Sequence, residues 1–301
     1  MIMNDFDYLF ENDSNENMTN KSNNFSKEDW AEKKQLERAE AYNLLDTATY
    51  ESVNDSEKFR DYLNTLAQFD RYSVSNALLI SYQHPGATKL ADFKTWKKDD
   101  VNINKGEKAI TILEPGNEYT RDDGTTGFSV NVKKVFDISQ TSNAENRMSR
   151  RMPDKRSAIK ALISSAPCKV VLVDDLGNNS ARFSPEKTTI FVVKGLEADE
   201  LFRALSFEIG VARFFAKDGT DRSDCAFSAY CASYVLCERY GFDTSNYDFD
   251  KVPERFADME EKDIRKALVE SRDMANDISL DMNRQLEAAD KNRNTKDNGA
   301  R

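Results

Sequence analysis

Apolar residues recur at roughly helical spacing over residues 29–45 (Trp30, Leu36, Ala39, Tyr42, Leu44, Leu45), with Ser26 placed ahead of them as a cap. Residues 56–69 carry Phe59, Tyr62, Leu63, Leu66 and Phe69 on one face, and residues 73–82 carry Val74, Ala77, Leu78, Leu79 and Ile80 before Pro85-Gly86 stops the pattern. Three helices are therefore expected before any strand. The texture then changes: Ala109-Ile110-Thr111-Ile112-Leu113 runs into Pro115-Gly116, and residues 128–138 resume with β-branched and aromatic residues after Asp123-Gly124. These predict two paired strands joined by a polar loop.

A polar stretch rich in Ser, Asn and Arg, residues 142–152, separates this half from the next, which Pro153 opens. Beyond it, residues 154–164 predict a helix and residues 168–173 a buried strand. Residues 188–193 are expected as its hairpin partner across the Gly177-Asn178-Asn179 turn, with helices over 197–216, 223–240 and 260–288. The expected fold is α+β: helices on a small antiparallel sheet in residues 31–141, then a mostly helical domain with a short β-hairpin in residues 153–290. A chain of 301 residues fits two modest domains of this kind. No internal repeat is present.

Composition changes this picture at the ends. Residues 1–30 are rich in Asn, Asp, Glu and Ser and lack the basic start and apolar centre of a secretion signal, so they read as a disordered acidic leader. Residues 291–301 read as a disordered polar tail. No apolar run approaches bilayer length, which predicts a chain with no membrane partner, located in the cytoplasm. Cys225, Cys231 and Cys237 are spaced six apart, which on a helix turns them away from a common metal, and no CxxC pair occurs. Buried reduced thiols are expected.

The net charge of −10 opposes general coating of nucleic acid, but the charge is unevenly spread. Between Arg71 and Lys108 seven Lys/Arg face four Asp/Glu, and between Lys133 and Arg156 seven face three. Tyr72, Tyr82, Phe93 and Trp96 are interleaved with Arg71, Lys89, Lys94, Lys97, Lys98, Lys105 and Lys108, the mixture of stacking faces and cations that single-strand binding uses. Ser75, Asn76, Gln83, Thr88, Lys133 and Gln140 complete the candidate contact set, Asn76 and Gln83 each offering a donor and an acceptor. Each piece has a second reading. Tyr72 and Trp96 also suit a core, Asn76 also suits a brace for a neighbouring loop, and Lys105-Gly106-Glu107-Lys108 also suits a tight turn with Gly106 at positive φ.

Tyr72-Ser73-Val74-Ser75-Asn76-Ala77-Leu78-Leu79-Ile80, then Gln83, Pro85, Ala87-Thr88, Trp96, Lys105-Gly106-Glu107-Lys108-Ala109-Ile110 and Val135-Phe136-Asp137-Ile138-Ser139-Gln140-Thr141 together resemble the N-terminal domain of the ArdC/LtrC-like antirestriction family. The resemblance implies single-stranded DNA as partner, in proteins of plasmids and conjugative transposons. It extends to the second half, where the family carries a zincin-like metallopeptidase domain. Phe207-Glu208-Ile209-Gly210-Val211 stands where that domain's HExxH would lie, with Phe207 and Val211 at the histidine positions and Glu208 alone retained.

The chain holds one histidine, His84, in the other half, so two histidine ligands cannot come from one chain. The expectation is a non-enzyme with no cofactor and no metal, its vestigial Glu208 paired with Arg203 or Arg213. The alternative is a protein-interaction module using the inactive domain. An enzyme reading would need a metal site built from Glu208, Asp174 and Asp175, or histidines donated by another subunit, and His84 lies in a helix-ending turn with no activated nucleophile beside it. No phosphate-cradling or dinucleotide-binding glycine motif is present.

Overall fold

The computed structural model describes residues 27–120, 124–146 and 152–298. The leader through residue 26 with its Ser26 cap, most of the expected linker (residues 147–151) and the last three residues lie outside them. Three helices come first, as expected: α1 (Lys27–Val53), α2 (Ser56–Gln68) and α3 (Val74–Gln83). The α1 helix runs eight residues past the expected end at Leu45. Asp-Thr-Ala-Thr-Tyr-Glu-Ser-Val is a poor helix former by propensity, but Ala48, Thr49, Ser52 and Val53 are buried there, and packing outweighs propensity. Asp55 caps α2 by accepting from the Glu57 and Lys58 N–H groups, and Ser73 caps α3 through Asn76 N–H.

Next come β1 (Leu90–Ala91), α4 (Phe93–Lys98), β2 (Ile110–Thr120) and β3 (Thr126–Asp137). They form a three-stranded antiparallel sheet in the order β1-β3-β2. The expected strand stop at Pro115-Gly116 is instead an irregularity: the register slips between Pro115 and Glu118 and β2 continues. The second half runs α5 (Lys155–Ser164), β4 (Lys169–Val173), β5 (Ala181–Ser184), β6 (Thr189–Val193), α6 (Ala198–Asp218), α7 (Arg222–Tyr240), α8 (Val252–Phe256) and α9 (Glu261–Asn298). The long α9 carries on through residues 291–298, so that part of the expected frayed tail is helical.

The expected hairpin between residues 168–173 and 188–193 is corrected. β4 and β6 pair in parallel, and the hairpin is β5–β6, giving the order β4-β6-β5. Ala181-Arg-Phe-Ser is short, but its residues alternate between buried and outward-facing, and inserting it reverses the chain so that β6 can run alongside β4.

The expected boundary at residues 142–152 separates the two sheets but not the core. Phe59, Tyr62, Leu63, Leu66, Leu78 and Leu79 of α2 and α3 belong to one buried apolar cluster with Phe202, Leu205, Val235, Leu236 and Leu268 of α6, α7 and α9. Arg239 of α7 is buried and donates to the Leu66 carbonyl of α2 at 2.8 Å, tying the halves further. Helices α6 and α7 approach closely at Gly210, where an added Cβ would lie 3.1 Å from that of Ala229.

Candidate nucleic-acid groove and the former peptidase helix

A groove of about 830 Å³ opens between α1, the N-terminal turn of α3, the start of α4 and the β2–β3 ribbon. Its apolar floor includes Leu90, Ile112, Leu113, Val130 and Val135. Three aromatic rings line it: Tyr42 from α1, Tyr72 from the turn before α3, and Phe128 from β3, the last 60% exposed. The Tyr72 ring packs edge-on against Phe69 at 5.5 Å. Burial raises the Tyr72 phenol above its ordinary pKa against the opposing effect of Lys133, so it stays a donor at neutral pH.

Five of the thirteen expected contact residues meet here: Arg71, Tyr72, Ser75, Asn76 and Lys133. The two cations differ. Arg71 is exposed and makes no ion pair among the described residues. Lys133 reaches Glu114 at 3.2 Å and Asp92 at 3.4 Å, and hydrogen bonding to Glu114 followed by its charge holds the ammonium above its usual pKa. Asp92 is held low, first by the backbone N–H of Thr95, which it caps. The groove is therefore aromatic and close to charge-balanced.

The other expected contacts lie elsewhere or are already engaged. Trp96 is in the core at 1% exposure, its Nε1 donating to the Phe136 carbonyl at 3.0 Å, which rules it out as a stacking platform. Asn76 clamps the backbone of Leu113: Nδ2 donates to its carbonyl at 2.7 Å, and Oδ1 accepts from its N–H at 2.8 Å. Gln83 does the same for Thr111, two residues along, at 2.9 Å each way. Seven apart on α3, these amides act as a substitute strand along the outer edge of β2, so their hydrogen bonds are committed to the protein. Gln140 is buried and pins the Lys105–Lys108 turn, donating to the Lys108 carbonyl at 2.8 Å and accepting from Asp137 N–H at 2.9 Å. In that turn Gly106 has φ +90°, as expected, with Lys105 and Lys108 exposed beside it. Thr88 sits at the Asp137 turn, and Lys97 and Lys98 are exposed at the end of α4; none of these lines the groove. The aromatics that sequence reading missed are Tyr42 and Phe128, which periodicity assigned only to a helix face and a strand.

His84 caps α3, its N–H donating to the Ile80 carbonyl at 2.8 Å. Its Nε2 lies 3.0 Å from Ser139 Oγ and 3.8 Å from Asp137 Oδ2. One nitrogen faces both groups, so no Ser-His-Asp relay exists, which needs them on opposite ring nitrogens.

On α6, Glu208 is buried. Its Oε2 accepts from Phe183 N–H of β5 at 2.7 Å and pairs with the Arg222 guanidinium from the start of α7. The expected partners are corrected: Arg213 instead bonds Asp281 at 2.6 Å and the Ser165 carbonyl at 2.7 Å, and Arg203 forms no ion pair among the described residues. The Arg222 guanidinium lies 5.4 Å from the centre of the Phe207 ring, and Val211 is buried in the core. Asp174 and Asp175 end β4, at the opposite edge of the sheet from β5, so the three carboxylates of the enzyme reading are not brought together. Among the described residues no group of three His, Cys, Asp or Glu is placed to hold a metal ion. No helix of the described residues is long and apolar enough to cross a membrane.

With these positions in view, the chain was compared with known proteins. Residues 47–155 match the family model for the N-terminal domain of anti-restriction factor ArdC. This half is similar to an ArdC-type N-terminal domain. The match starts inside α1 and takes in α2, α3, α4 and the sheet, so it contains every residue that lines the groove except Tyr42. The chain is also similar to the antirestriction ArdC protein of plasmid R388. Its metal-free crystal structure matches at TM-score 0.51 and 16% identity, covering 71% of this chain and 86% of that one. Its Mn(II)-bound structure matches at TM-score 0.51 and 14% identity, covering 73% and 97%. An uncharacterized protein of Bacillus anthracis, pXO2-81, is 26% identical over 278 residues; the match covers 73% of this chain and 47% of that protein, about half its length. The α6 carboxylate is already satisfied by a guanidinium and a backbone N–H, and its helix neighbours Phe207 and Val211 cannot ligate a metal.

Proposed function

We propose that this chain binds single-stranded DNA along the groove of its ArdC-type domain and acts, without catalysis, as an antirestriction-like accessory protein of a mobile genetic element, in the cytoplasm where transferred DNA arrives. The observation that carries the reading is the conjunction, in one groove, of Tyr72 and Phe128 of the matched domain, Tyr42 just ahead of it, and an exposed Arg71 that makes no ion pair among the described residues. Bases stack on such rings irrespective of sequence, at about 1–3 kcal/mol each, and a duplex hides its base faces. The likeness to the antirestriction ArdC protein of R388 supports the biological role.

The near-neutral groove sets the energetic character of the complex. Lys133 is offset by Asp92 and Glu114, so stacking dominates and, among the described residues, Arg71 supplies the one groove cation free to meet a phosphate. Binding of single strands loses affinity with salt by a slope of about 0.7 per phosphate neutralised. A strand held by the groove alone thus gives a slope near that value, whereas a path that also reaches Lys97, Lys98, Lys105 and Lys108 gives one several times steeper. A salt titration of a labelled single-stranded oligonucleotide, for wild type and for Arg71→Ala, tests this. Loss of about one phosphate's worth of slope in the variant supports the reading, and an unchanged affinity and slope contradicts it.

The Glu208–Arg222 pair supports the non-catalytic part. A carboxylate that accepts a backbone hydrogen bond and a guanidinium is not available as a general base. Release of fragments from a casein substrate by purified chain, with or without added Mn(II), would contradict that part.

A further inference from the structure

Two sheet edges among the described residues are closed by side chains. The outer edge of β2 is taken by the amides of Asn76 and Gln83, and that of β5 by the Glu208 carboxylate on Phe183 N–H. The other end of the second sheet is β4, and nothing among the described strands pairs beyond it. Its sequence, Lys169-Val-Val-Leu-Val, is apolar on both faces beyond the lysine, the composition of a strand covered on both faces. Yet Val171 is 40% and Leu172 62% exposed. The Lys194 N–H donates to the Val173 carbonyl at 3.0 Å, so the polar backbone groups of Val173 point inward to β6. Alternation along the strand then turns those of Val170 and Leu172 outward. A flat apolar edge of this kind is one that proteins cover.

We propose that β4 pairs antiparallel with β4 of a second copy of this chain, about a two-fold axis at Leu172. The strand is self-complementary in that register. Leu172 faces its own copy with outward N–H and carbonyl groups exchanging hydrogen bonds, Val171 faces Val173, and Lys169 faces Asp175. Lys169 and Asp175 are both exposed. Asp174 is engaged by Lys194 at 2.8 Å, whereas Asp175, whose Oδ1 accepts from Gly177 N–H at 2.9 Å just past the strand, keeps Oδ2 for the partner's Lys169. A parallel pairing would set like charge against like, which is unfavourable. The charges at the two ends of one strand thus select a second copy over an unrelated extended peptide, and the two sheets become continuous through the dimer.

Sedimentation velocity of the full chain over a wide concentration range tests this. Wild type is expected to pass from monomer to dimer. Leu172→Lys places two ammonium groups at the axis and should weaken self-association by at least about tenfold, with the melting temperature of the monomer unchanged because the side chain is exposed. Lys169→Glu and Asp175→Lys should each lose dimer alone and regain it when mixed, since the mixed pair restores both opposite-charge contacts. A wild type that stays monomeric at the highest concentration overturns the proposal and leaves the edge to an extended peptide of another protein. A dimer indifferent to Leu172→Lys, or no recovery in the mixture, overturns it equally.

Discussion

Arg222→Met strands the Glu208 carboxylate in the interior. The Glu208 side chain is 4% exposed and that of Arg222 24%, and what remains to the carboxylate in the variant is the single hydrogen bond from Phe183 N–H. Breaking one side of a buried pair costs about 3–5 kcal/mol, and access of water to the arginine end places this case near the lower figure, about 3 kcal/mol. For domains of this general size each kcal/mol moves Tm by about 2–4 °C, so a fall of about 6 °C or somewhat more is expected by calorimetry. The double variant Glu208→Gln/Arg222→Met is the informative control. The substituted amide keeps an acceptor for Phe183 N–H and carries no charge, so stability should return to within about 1 kcal/mol of wild type. If the single variant melts with wild type, or the double variant melts as low as the single, the carboxylate is not the buried, charge-paired cap described here.

Other outcomes follow from the same geometry. Asn76→Ala and Gln83→Ala each leave a β2 N–H and carbonyl without their partner, costing about 1–3 kcal/mol apiece; hydrogen exchange should quicken at Thr111 and Leu113 specifically, and protection equal to wild type would contradict the substitute-strand role. For Asp137 burial raises the pKa, but hydrogen bonds from Ser139, Lys89 and Thr88 outweigh it, so the folded value lies below 3.8. Its contribution is present above that ordinary value and is lost as pH falls toward the folded one, so Asp137→Asn should lower stability at neutral pH and flatten the acid limb of the stability curve. An acid limb as steep as wild type would count against it. Burial pushes the Cys237 thiol up to about 12 and the Cys231 thiol well above its usual range, so a thiol reagent at neutral pH should label partly exposed Cys168 first, and Cys231 and Cys237 only on unfolding. Fast native labelling of Cys237 would refute that burial.

The helices α2, α3, α6 and α7 fall within a residue or two of expectation because start and stop signals bound them: Asp55 and Ser73 ahead of α2 and α3, Pro85-Gly86 after α3, and Gly219 and Gly241 ending α6 and α7. The features that escaped depend on partners distant in the chain. The parallel pairing of β4 with β6 needs the four-residue β5 between them, too short for its alternation to register. The cluster that α2 and α3 share with α6, α7 and α9 escaped because an apolar face on α2 reads the same whether it meets its own sheet or a helix more than a hundred residues later. In the site, Arg71, Tyr72 and Lys133 were found by type and spacing. Asn76 and Gln83 were found as well, and the brace weighed for Asn76 is what the structure shows, though it braces a strand edge rather than a loop, with Gln83 sharing the work: two amides seven apart on an otherwise apolar helix signal a buried polar obligation. Arg222 escaped because it joins Glu208 only through the turn between α6 and α7, outside any helical spacing.

The groove itself is tested most directly by fluorescence anisotropy of a labelled single-stranded oligonucleotide with duplex as competitor. Wild type, Arg71→Ala/Phe128→Ala and Lys105→Ala/Lys108→Ala would be measured side by side. Both pairs are exposed side chains, so the fold should persist in each variant. The account predicts preference for single strands and a loss of affinity in the Arg71/Phe128 variant of about tenfold or more, one stacked ring and one phosphate contact being removed. The Lys105/Lys108 variant should change mainly the salt dependence. Equal affinity for duplex, or full affinity in the Arg71/Phe128 variant, would contradict single-strand binding in this groove.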